Sequence, residues 1–120
     1  MVRVVVPVVE ENAENLSEYF GRAPFFALYE VSGDRVEEKG VFPNKSDHYG
    51  GSGHPPEKIL ELGAEAVISM GMGMHAIEAF QKENVAVLRS ETSNTADALK
   101  MFTSGTLEEL TEGCLHSYEH

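Results

Sequence analysis

Residues Val2 to Val9, VRVVVPVV, form an almost unbroken β-branched run with no polar face. That pattern predicts a central strand covered on both sides, although Pro7 withholds one ladder donor. Glu10 to Arg22 then turns polar, with a short helical turn predicted at Leu16 to Phe20, and Gly21 interrupts the chain before Pro24. Phe25 to Val31 and Arg35 to Phe42 flank Ser32-Gly33-Asp34, which predicts a hairpin closed by a tight turn. Pro43 to His54, PNKSDHYGGSGH, is rich in turn formers and lacks periodicity; such a stretch is more often a functional loop than idle linker. Pro55 and Pro56 suit the first turn of a short helix, with Ile59, Leu60 and Leu62 as its apolar stripe and Gly63 as its stop. Ala64 to Met70 is a second buried-strand pattern. Met74 to Lys82 follows as a helix with Ala76, Ile77 and Phe80 on one side, and Val85 to Leu88 as a short strand. Thr95 to Thr103 predicts a helix capped by Ser93 or Asn94, burying Ala96, Leu99 and Phe102 and ended by Gly105. A last turn is predicted at Thr106 to Leu110, before the tail TEGCLHSYEH.

Three strands joined by hairpin-type connections, then helix, strand, helix, strand, helix, require a mixed sheet. The second half must pair in parallel through right-handed crossovers, and ligands of such sheets favour the carboxyl ends of the strands. The 120 residues are read as one α/β domain, residues 1–110, with a tail at 111–120.

Charge and composition narrow the function. Nine Lys and Arg against 20 Asp and Glu give a net charge of −11, which disfavours a nucleic-acid partner. No apolar run approaches the ~18 residues that span a bilayer, and the acidic start does not suit a signal peptide, so the expectation is a cytoplasmic protein without a membrane partner. The single cysteine, Cys114, excludes an internal disulfide and a multi-cysteine zinc framework, so a metal site must lean on histidine, carboxylate or a second chain.

Candidate chemistry concentrates in a few segments. In SMGMGMHA, residues 69–76, a strand runs into a glycine turn, and the helix behind it aims free amides and partial positive charge over Gly71 and Gly73. The same glycines serve equally well simply to permit a tight turn. Ala76 stands where the dinucleotide-binding pattern would need glycine. Met70 is read as core, while Met72 and Met74 beside the turn can line an apolar pocket or contact a soft metal. His75 at the helix start can coordinate metal as neutral imidazole, or be an ordinary exposed residue. The loop HYGGSGH carries His48 and His54 around Gly50, Gly51 and Gly53, and His54, just ahead of the first helix, is expected on the same rim as His75. Arg22, following Gly21, offers a planar donor fork to an anion. Cys114, His116 and His120 suit iron, zinc or copper but lack a fourth donor, and a frayed terminus explains them as well. No nucleophile sits on a structured turn with an oriented base, so an enzyme is not expected.

The opening VVVPV, FGRAPFF at 20–26, the GGSGH loop, AVISMGMGMHA and NVAVLRSETSNTADALKMFTSGTLEEL together resemble the dinitrogenase iron-molybdenum cofactor biosynthesis family across nearly the whole chain. The resemblance implies a ribonuclease H-like three-layer fold: a mixed five-stranded sheet in the order 3-2-1-4-5, strand two antiparallel, with three helices. It does not imply nuclease activity, because the first strand lacks the carboxylate that two-magnesium chemistry needs. It implies that Arg22, His54 and His75 face an anionic cluster, with Gly51, Gly53, Gly71 and Gly73 allowing backbone approach. The tail residues Cys114, His116 and His120 match nothing in the family pattern.

The function expected is non-enzymatic: binding or carrying an iron–sulfur or iron–molybdenum type cofactor or precursor, as a monomer or homodimer, with a cofactor-delivery protein as partner. The alternative is a metal-free sensor of an anionic, phosphate-bearing metabolite.

Overall fold

A computed structural model describes residues 2–18, 20, 23–43 and 59–109, with only the backbone of Glu108. The predicted β-branched run is the sheet's centre. Strand β1 is Val2–Val8, and the hairpin is β2, Phe25–Ser32, with β3, Arg35–Pro43. Residues 59–61 are helical. Then follow β4 at Ala66–Ser69, helix α1 at Met74–Lys82, β5 at Ala86–Arg89, helix α2 at Thr95–Ser104 and β6 at Glu108–Glu109. The sheet order is β3-β2-β1-β4-β5-β6. The β2 strand is antiparallel to both of its neighbours, whereas β1, β4 and β5 run parallel. The five expected strands thus stand in the expected order and directions. Two further residues add a sixth strand antiparallel to β5, pairing Leu88 with Glu109 and Arg89 with Glu108, in place of the predicted last turn.

Burial on both faces of β1 splits the interior in two. Val5 joins Phe26, Leu28, Val67, Val87, Ile59 and the α1 residues Ile77 and Phe80 in a first core. Val4, Val6 and Val8 join Ala27, Tyr29, Ala66, Ile68 and the α2 residues Ala98 and Leu99 in a second. Alternation along one strand therefore feeds both layers. In α2 the buried positions are Thr95, Ala98 and Leu99; Ala96, expected inside, is exposed, because the buried stripe starts at Thr95 and runs through Ala98 and Leu99 to Phe102 at the spacing of one helix face. Gly105 ends α2 with φ 73°, a left-handed conformation that a side chain would strain.

Pro7 is tolerated at the centre for a geometric reason. Its carbonyl turns away from β2 and accepts Ser17 N–H at 2.9 Å, and β1–β4 pairing, through Val4 and Val5, has already ended. The missing donor thus falls beyond the β4 ladder, while pairing with β2 continues to Val8 and Phe25.

The helical turn predicted at Leu16 to Phe20 does not start at Leu16, which stands in an isolated bridge, whereas Phe20 is in a 3₁₀ turn and its carbonyl accepts Ala23 N–H at 3.3 Å. Leu16 bridges Val8, and its N–H donates to Ser93 O at 2.7 Å, while Phe20 N–H donates to Gly71 O at 3.2 Å. Leu16 lies in the second core and Phe20 in the first, so the chain changes layers across the carboxyl ends of the parallel strands. At the opposite end the Arg3 backbone donates its N–H to the Glu65 carboxylate at 3.0 Å and accepts Glu65 N–H at 2.8 Å, while the Arg3 guanidinium donates to Leu62 O at 3.0 Å and pairs with Glu30 at 3.4 Å. Among the described residues no helix is long and apolar enough to cross a membrane.

Candidate functional site

The carboxyl ends of β1, β4 and β5 form one rim, and two strand-to-helix connections leave it. They begin alike. Ser69 Oγ donates to Gly71 O at 2.9 Å and accepts from Gly71 N–H at 3.3 Å; Ser90 Oγ does the same with Thr92, at 2.7 and 3.2 Å. Both serines are buried, and Ser90 N–H donates to Ser69 O at 2.9 Å, so the two strand ends are bonded side by side. A buried hydroxyl that closes on a nearby peptide fixes a turn without needing water.

Beyond these turns the two helices differ. The amino end of α2 is closed: Asn94 Oδ1 accepts Asp97 N–H at 2.9 Å, and Thr95 N–H donates to Glu14 O at 3.0 Å. At α1 the cap is Gly73, which supplies no side-chain hydrogen bond, and the first turn has no acidic residue. The first helical bond there runs from Ile77 N–H to Gly73 O, leaving the amides of Met74, His75 and Ala76 without an acceptor in the helix. Gly73 is exposed, and a Cβ built on it meets nothing within 4 Å. His75, exposed, occupies the second helical position beside those amides. The combination is a small open cradle with helix-terminal positive character and one imidazole, suited to an anion or to a group that accepts a single nitrogen ligand.

Of the residues singled out in the sequence, Gly71, Gly73 and His75 come together here. Arg22, Gly51, Gly53, His54, Cys114, His116 and His120 lie outside the described residues. Met70 packs at the edge of the second core, but Met72 is 2% exposed within the first, so it is interior filling rather than the wall of a pocket. Met70 keeps the face of Ile68, as alternation along a strand requires, and the turn at Gly71 then carries Met72 to the opposite face. Sequence reasoning missed Ser69, Ser90 and the anchoring role of Phe20. Its one available signal was a serine ending each of the apolar runs AVIS and AVLRS, where another apolar residue would serve the core better. Among the described residues no group of three or more His, Cys, Asp or Glu gathers as a metal-binding set.

A mixed sheet in this order, with a glycine-capped helix at the rim, defines an α/β domain of ribonuclease H-like topology. The family model described as dinitrogenase iron-molybdenum cofactor matches residues 2–105, and the chain belongs to that family. Among solved structures it is similar to TM1290 of Thermotoga, described as a candidate NifB protein of the DUF35 family, at 31% identity and TM-score 0.72, covering 92% of this chain and 95% of that one. The apo form of the orange protein from Desulfovibrio gigas shares the fold, at 18% identity and TM-score 0.78 over 93% and 95% of the two chains. A curated relative, the uncharacterized protein MJ0580 of Methanocaldococcus jannaschii, is 22% identical over 111 residues, 91% of this chain and 92% of its own.

Proposed function

We propose that this protein binds and carries an iron–sulfur or iron–molybdenum type cofactor or precursor at the rim in front of α1, without transforming it. The observation that carries this reading is the contrast between the two helices: α2 is capped and closed, while α1 presents bare amides, an open glycine and an imidazole. His75 alone would hold a free metal ion poorly, since structural sites for such ions use about four protein donors. A preassembled cluster brings its own sulfide ligands and needs only one or a few groups from the protein. Its negative charge is opposed by the net −11 of the chain. Exposed charges are screened over about 8–10 Å, so amides in contact with the guest outweigh distant carboxylates. Family membership supports the cargo class, and a carrier implies a donor or acceptor protein as partner.

The test is anaerobic reconstitution with iron and sulfide, with and without molybdate, reading visible absorption and iron per chain after desalting. The expected result is a coloured protein whose loading falls in His75→Ala. A colourless, iron-free product would remove the reading. Stabilisation by inorganic phosphate alone, seen as a melting shift, would favour a metabolite sensor.

A further inference from the structure

Gly71 does more than bend the chain. Its carbonyl accepts two hydrogen bonds, from Ser69 Oγ and from Phe20 N–H, and its own N–H returns to Ser69 Oγ. The peptide that anchors the β1–β2 crossing is thus held in orientation by one buried hydroxyl. Phe20 carries the connection onward: its ring lies 5.6 Å from that of Phe80 on α1, edge to face, and 5.5 Å from Phe26 on β2. A single serine therefore bears on the glycine turn, on the chain just before Gly21 and Arg22, and through Phe20 on the helix whose amino end forms the cradle. Ser90 makes the same turn at the same depth, but it anchors its own connection rather than Phe20.

We propose that Ser69 is the positioning residue of the cargo site, its hydroxyl setting Gly71 so that the Phe20 segment and the α1 amino end are registered against each other. This rests on the rim being the cargo site. Loss of the hydroxyl leaves the Gly71 carbonyl free to rotate, and the Phe20 N–H bond, already 3.2 Å long, weakens with it. Ser90 supplies the matched comparison, because Ser90→Ala removes an equivalent buried turn.

The experiment compares wild type, Ser69→Ala, Ser69→Thr and Ser90→Ala in the full chain. Amide exchange by NMR reads the Phe20 anchor without any cargo, and iron retained after anaerobic reconstitution reads the site. In Ser69→Ala, exchange at Phe20 should accelerate about tenfold relative to wild type, while Ser90→Ala leaves Phe20 close to wild type. Retained iron should fall at least twofold in Ser69→Ala and stay near wild type in Ser90→Ala. Partial recovery of both readouts in Ser69→Thr would support the hydroxyl as the cause. Unchanged Phe20 exchange in folded Ser69→Ala overturns the proposal, as does equal loss of iron in both alanine variants. If Ser69→Ala does not fold, Phe20 exchange in Ser69→Thr decides: wild-type protection supports the hydroxyl anchor, and lost protection overturns it. A wild type that takes up no iron while Phe20 responds as expected overturns the cargo reading and with it the site role, yet leaves the Ser69 to Phe20 coupling measured.

Discussion

Replacing Gly73 by aspartate should make the protein more stable and worse at its work. The backbone at Gly73, φ −75° and ψ 162°, is the extended conformation of an ordinary helix cap, and a Cβ there meets nothing within 4 Å. The substitution therefore enters without strain. Three terms favour it: a carboxylate cap improves on glycine by a few tenths of a kcal/mol, loss of a glycine from the unfolded chain contributes about 0.4–1 kcal/mol, and charge at the helix amino end about 0.3–1 kcal/mol. The last overlaps with the first, so the net gain is about 1 kcal/mol, a rise of roughly 3–5 °C in Tm for a chain of this size. The same carboxylate occupies the amides of His75 and Ala76 and places negative charge where an anionic guest would sit. Thermal unfolding followed by circular dichroism gives the first quantity, and iron retained after anaerobic reconstitution the second. Gly73→Asn separates capping from charge, since it copies the Asn94 arrangement of α2. An aspartate variant that melts higher and still loads like wild type would refute the placement of cargo at α1. One that melts lower would refute the geometry of the cap itself.

Other expectations follow from the two cores. Phe80, fully buried and edge to face with Phe20, should cost about 3–5 kcal/mol as Phe80→Ala, measured by urea unfolding. Burial, helped by the charge of Glu38, pushes the Tyr29 hydroxyl up to about 12. Ionisation is then harder in the folded chain than in the unfolded one, so stability is intact below pH 10 and falls between pH 10 and 12; Tyr29→Phe should lose less across that window in alkaline unfolding titrations. Thr95 Oγ1 is buried without a hydrogen-bond partner, so Thr95→Val should be neutral or stabilising by up to about 1 kcal/mol in the same urea assay, because no bond is lost and an unsatisfied hydroxyl is removed.

Much of this fold was legible because its central strand is written for two faces at once. Val2 to Val9 has no polar parity, so it had to lie inside a sheet with both sides covered, and the hairpin and alternating helices then left few arrangements. What escaped was structure set by partners distant in the chain. Leu16 to Phe20 carries a plausible helical spacing, yet its amides are claimed by Ser93 and Gly71, and long-range bonds override local preference. Glu108 and Glu109 have no strand-forming character; they pair because the edge of β5 lies open beside them. At the site, the glycines and His75 were visible as residue types, and the free amino end of α1 could be anticipated from the lack of a capping residue at Gly73. The paired serines were not. Their role depends on two strand ends lying next to each other, a relation that no periodicity encodes.

The segment that changes layers at residues 16–20 has a mechanical consequence. It is stitched to the α2 side through Ser93 and to the α1 side through Gly71. Neither flank can slide over the sheet alone without breaking a main-chain bond on the seam. Opening that end of the molecule is accordingly a concerted event, and whatever enters there meets a frame whose dimensions were decided before it arrived.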